Sequence, residues 1–109
     1  MRMHLDDKYF RKIKECTKTI EIRLNDEKRR ELSVGDTITF DNRKTEEKID
    51  VRIKNLYIYK NFEELYKHHD KIYLGYEENE IASPSDMRMF YSFEDTIKYG
   101  VVAIEIEVI

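Results

Sequence analysis

At 109 residues, with 40% apolar and 39% charged side chains, the chain has the size and composition of one globular domain, not of a disordered segment. Its single cysteine, Cys16, excludes an internal disulfide and a cysteine-rich zinc cage, and no stretch approaches the roughly 18 continuous apolar residues of a membrane span. The net charge of −3 is unevenly spread: residues 1–30 carry ten Lys/Arg against six Asp/Glu and residues 61–109 carry four against eleven, so a basic face is expected near the start unless folding brings the halves together.

Met1 to Leu5 reads as a short first strand, and Asp6 or Asp7 caps a helix over residues 7–15 whose Leu5, Tyr9, Ile13 and Cys16 keep helical spacing. Thr17 to Leu24 alternates as a strand, with Ile20, Ile22 and Leu24 on one face and Thr19, Glu21 and Arg23 on the other. The charged stretch Asn25 to Ser33 reads as a loop or a single helical turn. Val34-Gly35-Asp36 then turns the chain into a strand with Ile38 and Phe40 inward. Ile49 to Tyr59 is one long strand whose apolar parity slips from Ile49, Val51 and Ile53 to Leu56 and Ile58. A β-bulge near Lys54-Asn55 explains the slip.

Asn61 and Glu64 form a capping-box pattern that opens a short helix through Phe62, Leu65 and Tyr66. Residues 67–82 have no clear period and are read as a loop or lid. Ser83-Pro84-Ser85-Asp86 is a helix start that turns Met87, Phe90 and Tyr91 inward. Gly100 opens a last strand in which Val102, Ile104, Ile106 and Val108 alternate with Ala103, Glu105 and Glu107. Four or five strands, a bulge and three short helices predict a small α+β barrel decorated by helices. The opening MRMHLDD lacks the apolar run of a secretory signal, which leads us to expect a cytoplasmic protein, with a monomer as the default state.

Glu21 and Arg23 are neighbours on one strand face, about 6.5–7 Å apart. They are close enough to share a ligand or to pair as a solvated salt bridge worth about 0–1 kcal/mol. Lys18 has the parity of the isoleucine face, where its charge would be costly to bury, unless the strand begins irregularly there. A lysine partly desolvated beside a glutamate is tuned for chemistry. The run Glu27-Lys28-Arg29-Arg30 reads as a solvated loop, or as a source of phosphate contacts from Arg29 and Arg30 beside Arg23. Of eight tyrosines, among them Tyr57, Tyr59, Tyr73, Tyr76 and Tyr99, one or two near such a site would stack a base. Adjacent His68 and His69 diverge in either regular structure and are not expected to share a metal. No glycine-rich phosphate loop, serine elbow or zinc-helix pattern occurs, so neither metal nor cofactor is expected.

The order Lys18-Thr19-Ile20-Glu21-Ile22-Arg23 resembles the signature of the ASCH domain family, G-x-K-x-x-E-x-R. Leu24-Asn25-Asp26, Val34-Gly35-Asp36 and Lys98-Tyr99-Gly100-Val101-Val102-Ala103-Ile104 extend the likeness along the chain. Cys16 stands where the signature has glycine, at the turn closing the first helix. The resemblance implies a PUA-like β-barrel of about five strands with two to four short helices, a fold associated with RNA recognition. It also implies a cleft lined by Lys18, Glu21 and Arg23, with residues 67–82 opposite. One branch of the family is similar to amidohydrolases that remove the acetyl group of N(4)-acetylcytidine. That branch uses a lysine, a threonine three residues later and a glutamate before a serine- or threonine-capped helix. Lys18 matches the lysine, Glu80 the glutamate, and Glu21 occupies the threonine position. Other ASCH-like proteins are described as ribonucleases.

The expected function is therefore binding of RNA, or of a nucleoside or nucleotide, by Lys18, Glu21, Arg23, Arg29, Arg30 and Tyr99. The alternatives are an amidohydrolase acting on an acylated nucleoside through Lys18, Glu21 and Glu80, a ribonuclease, and a protein-interaction module whose charged strand is a solvated edge.

Overall fold

Strand β1 (Arg2–Leu5) buries Met3 and Leu5, and Asp6 turns the chain into helix α1 (Asp7–Lys14), which buries Phe10 and Ile13. In the computed structural model, which describes residues 1–109, four further strands follow: β2 (Ile20–Leu24), β3 (Thr37–Asn42), β4 (Lys48–Tyr59) and β5 (Val101–Val108). They form one curled sheet in the order β1-β3-β4-β5-β2. β1 runs parallel to β3, and every other pairing is antiparallel. The architecture is the α+β half-barrel with short helices that the pattern predicts, with β1 and β2 facing each other across an unpaired seam.

The parity slip in β4 is a bulge. Ile53 pairs with Ile106 and Asn55 with Glu105, which leaves Lys54 without a partner. Before the bulge, Val51 and Ile53 enter the barrel core; after it, Leu56 packs against that core and Tyr57 and Tyr59 turn to the opposite face. The sheet thus has two apolar sides. The barrel core holds Phe10, Ile13, Ile38, Phe40, Val102 and Ile104, among others. The outer face packs Ile20, Ile22, Leu24 and Ala103 under helix α2 (Phe62–His68) and helix α3 (Lys71–Leu74). Asn61 accepts from the Glu64 amide at 2.9 Å, as the capping-box pattern requires, although no return bond from Glu64 accompanies it.

Four expectations need correction. Thr17 and Lys18 are not strand. Cys16 N–H donates to Ile13 O and Thr17 N–H to Lys12 O, both at 3.0 Å, the paired bonds of a Schellman turn, with Cys16 in the left-handed region at φ 64°. Cys16 is exposed, so it does not continue the apolar helix face. Residues 67–82 are not all loop: α2 runs to His68 and α3 follows at Lys71–Leu74. Asp70 caps α3, and Gly75, at φ 108°, ends it. The segment is then tied down by bonds from Lys12 Nζ to Gly75 O (2.7 Å) and from Lys71 Nζ to Glu78 O (2.8 Å) and Glu80 O (2.7 Å). Ser83-Pro84 starts a 3-10 turn (Pro84–Met89) rather than an α-helix, because Ser83 Oγ is bonded to Ser85 Oγ and makes no cap. The α-helix comes later, as α4 (Phe93–Tyr99), capped by Ser92 Oγ accepting from Asp95 N–H at 3.1 Å.

Candidate functional site

The seam between β1 and β2 opens into a cleft of about 880 Å³. Directly paired residues of an antiparallel ladder share a face. Glu21 pairs with Ile104 and Arg23 with Val102, so both charged side chains point to the barrel-core side while Ile20, Ile22 and Leu24 point to the helices. The charged side of β2 therefore lies at the open end of the core, and the isoleucine side is the one sealed by α2 and α3.

Lys18 reaches the same place by another route. Because the chain is still in the α1-closing turn at Lys18, strand parity does not govern it. Its side chain is 3% exposed, and Nζ donates to Ile20 O, to Leu74 O (2.9 Å) and to Glu21 Oε1 (3.3 Å). An ammonium has three donors, and three acceptors meet them. The other oxygen, Glu21 Oε2, accepts from Arg23 Nε (2.9 Å) and Nη2 (2.7 Å), and Nη2 also donates to His4 O at 3.1 Å, bridging the seam from β2 to β1. Arg23 Nη1 makes no hydrogen bond within the protein and stays available in the cleft.

One buried carboxylate thus stands between two cations. Burial is the largest influence on Lys18 and pulls its pKa below the ordinary lysine value against the attraction of Glu21. Burial also pushes Glu21 upward, but Arg23 and then Lys18 outweigh it and hold the carboxyl below its ordinary range. The triad carries an excess positive charge, suited to an acceptor-rich or anionic ligand group.

Arg29 also lines the cleft. It bonds Asp26 through its main-chain N–H (3.1 Å) and Nη1 (3.4 Å), and its buried Nε has no acceptor. Glu80 lies on the cleft wall without touching Lys18 or Glu21; Oε1 accepts from Glu77 N–H at 2.7 Å and Oε2 lies 3.8 Å from Lys8 Nζ. Arg30 and Tyr99 fall outside the cleft. They meet each other instead, with Arg30 Nη2 donating to Tyr99 O at 3.2 Å and Nε to Asn25 O at 2.7 Å. His68 and His69 pack around the Tyr59 ring, one stacked (9°) and one edge-on (80°).

Of the tyrosines named as possible base-stacking residues, Tyr76 lines the cleft; Tyr9, Tyr66 and Asp86, which sequence reasoning did not single out for a site, line it too. Tyr9 holds its ring 5.7 Å from Lys18 Nζ. Tyr66, Tyr76 and Asp86 form a hydroxyl-carboxylate chain on the wall. Tyr9 and Tyr66 were legible only as helical packing residues, and Asp86 only as a helix-start residue.

A family model for the ASCH domain matches residues 3–109. The chain belongs to the ASCH domain family. A crystal structure of the hypothetical protein PH0355 is similar at 37% identity and TM-score 0.83, over 99% of this chain and 97% of that one. The solution structure of protein PF0455 from Pyrococcus furiosus is similar at 36% identity and TM-score 0.74, over 99% and 96%. The comparison with curated proteins gives no match. The ASCH signature residues Lys18, Glu21 and Arg23 are this triad. The signature glycine position is the left-handed residue of the Schellman turn, which explains why glycine suits it and leaves Cys16 strained there. No helix of this ASCH domain is long and apolar enough to cross a membrane.

Proposed function

We propose that this ASCH domain binds RNA or a nucleotide in the seam cleft, with Arg23 taking a phosphate or base-edge acceptor through its free Nη1. The carrying observation is a buried Lys18–Glu21 pair joined to a half-buried Arg23 with an unspent guanidinium N–H, in a cleft whose lining includes Tyr9, Tyr76 and Tyr91. Glu21 fixes the two cations, and the aromatic walls offer a base a surface to stack on. The cleft is a concave slot, which favours an unpaired nucleotide over a duplex.

Fluorescence anisotropy with short single-stranded RNA tests this. Arg23→Gln and Lys18→Ala are expected to weaken binding about tenfold or more, and wild-type affinity is expected to fall as salt rises. Binding to RNA and nucleotides that is undetectable, or indifferent to salt, retires the reading. The depressed pKa of Lys18 favours a second reading, hydrolysis of an acylated nucleoside such as N(4)-acetylcytidine with Glu80 in the same cleft. All three Nζ protons are engaged by acceptors, so this reading requires Lys18 to leave at least one of them when substrate binds. Cytidine release no faster than by Lys18→Ala would dismiss it.

A further inference from the structure

The part of the cleft lining formed by Tyr66, Tyr76 and Asp86 has a hydrogen-bond direction that can be worked out from its protons. Tyr76 Oη lies 2.7 Å from Asp86 Oδ2 and 2.9 Å from Tyr66 Oη. A phenol has one proton, and the carboxylate can only accept, so Tyr76 donates to Asp86. Tyr66 must then donate to Tyr76. Burial, followed by the bonds with Tyr66 and Asp86, pushes the Tyr76 phenol far above the usual tyrosine range, so this proton stays in place at any physiological pH.

The relay Tyr66→Tyr76→Asp86 leaves only acceptors over. Tyr66 Oη has spent its proton, and Asp86 Oδ1 has no partner. Asp86 is exposed, and all three residues line the cleft. Glu80 Oε2, with only Lys8 at 3.8 Å, adds a further acceptor to the cleft. The triad offers donors to the same cleft, since no protein acceptor takes either N–H of Arg23 Nη1. The cleft thus holds both free donors and free acceptors.

We propose that Asp86, oriented by Tyr76 and Tyr66, is the specificity-determining residue of the cleft and selects a nucleobase whose exposed edge carries an amino group over one that carries an oxo group. This inference rests on the nucleotide-binding reading above and extends it to the class of base. A base amino group donates to Asp86 Oδ1; an oxo group in the same position sets two acceptors against each other and leaves both desolvated.

The experiment measures affinity for two pairs of probes in which an oxo group replaces the amino group and the neighbouring ring nitrogen changes from acceptor to donor: cytidine against uridine 5′-monophosphate, and adenosine against inosine 5′-monophosphate. The wild-type protein is expected to prefer the amino member of at least one pair by about tenfold. In Asp86→Asn, Tyr76 O–H still finds the amide oxygen and the new NH₂ takes the free position, so the preference is expected to vanish or invert. Tyr76→Phe releases the carboxylate and is expected to reduce the preference. It serves as the second test if Asp86→Asn fails to give a folded protein by circular dichroism. Equal affinities within both pairs, or a preference that survives both substitutions, overturn the inference while nucleotide binding stands. No binding of any probe, together with no RNA binding, overturns both.

Discussion

Two clusters with one carboxylate and two cations each stand on opposite sides of the sheet, and they behave differently. In one, Asp41 accepts from Arg2 at 3.1 and 3.0 Å and faces Lys48 at 3.2 Å, with Arg2 and Lys48 side chains 62% and 56% exposed. In the other, Glu21 holds Arg23 and Lys18, whose side chains are 14% and 3% exposed. Water solvates the first pair of cations whether or not Asp41 is present. The second pair has only Glu21 and a few carbonyls. Pairing alone therefore does not mark a site. The cation left without water, beside an open cleft, does.

The largest test of that contrast is Glu21→Gln, which leaves a buried Lys18 and a half-buried Arg23 facing a neutral amide. It is expected to cost about 3–5 kcal/mol, lowering the thermal midpoint by about 12 °C or more in a domain of this size. Asp41→Asn is expected to shift the midpoint by no more than about 4 °C. Scanning calorimetry of both variants decides it, and equal losses would dissolve the distinction.

Gly75→Ala probes how Lys18 is held. A Cβ at Gly75 would stand 3.0 Å from Lys18 Cδ, and φ of 108° strains any side chain. We expect a loss of about 1–3 kcal/mol, read as a lower urea midpoint at unchanged slope. An unchanged midpoint would mean that the lysine stem has room to move.

Acid titration separates the clusters next. Asp41 is held below its ordinary range first by its hydrogen bond from Arg2, and Glu21 is held below by Arg23 and Lys18 against burial. Because both pKa values are lowered on folding, the stability they bring is present above the unfolded value of about 4–4.5 and is lost as pH falls through the lower folded values. Urea midpoints of wild-type protein are expected to fall below about pH 4.5, and Glu21→Gln to fall less steeply. Parallel curves would assign the acid loss to other carboxylates.

The smallest effect is expected at the turn that launches Lys18. Cys16→Gly relieves the left-handed strain at φ 64° and is expected to raise stability by about 0.5–1 kcal/mol. A midpoint that falls instead would show that the Schellman turn fits cysteine without strain.

Much of this was legible from neighbours along the chain. The alternation of β5, the parity slip that became the Lys54 bulge, and the Asn61 cap are all local patterns, and each fold element they specify is present. The K-x-x-E-x-R order singled out the triad. Helix α4 was missed because it presents no apolar inward stripe: Phe93 and Ile97 are 69% exposed and Thr96 is its buried residue, leaving the Ser92 cap as the only signal. The stronger start at Ser83-Pro84 gave only a 3-10 turn. There Asp86 is engaged by Tyr76, ten residues away in sequence.

The sequence by itself determined the strands, the bulge and the charged residues of β2, because side-chain period and turn chemistry act over a few residues. Tertiary structure alone decided that the charged face of β2 lies at the open end of the core and the isoleucine face lies under helices. It also decided that Lys18 is buried against Leu74 O, 56 residues on, and that Arg23 spans the seam to His4 O, 19 residues back. Desolvation is the reason. What a charge costs or does depends on which distant backbone removes its water, and no local spacing records that.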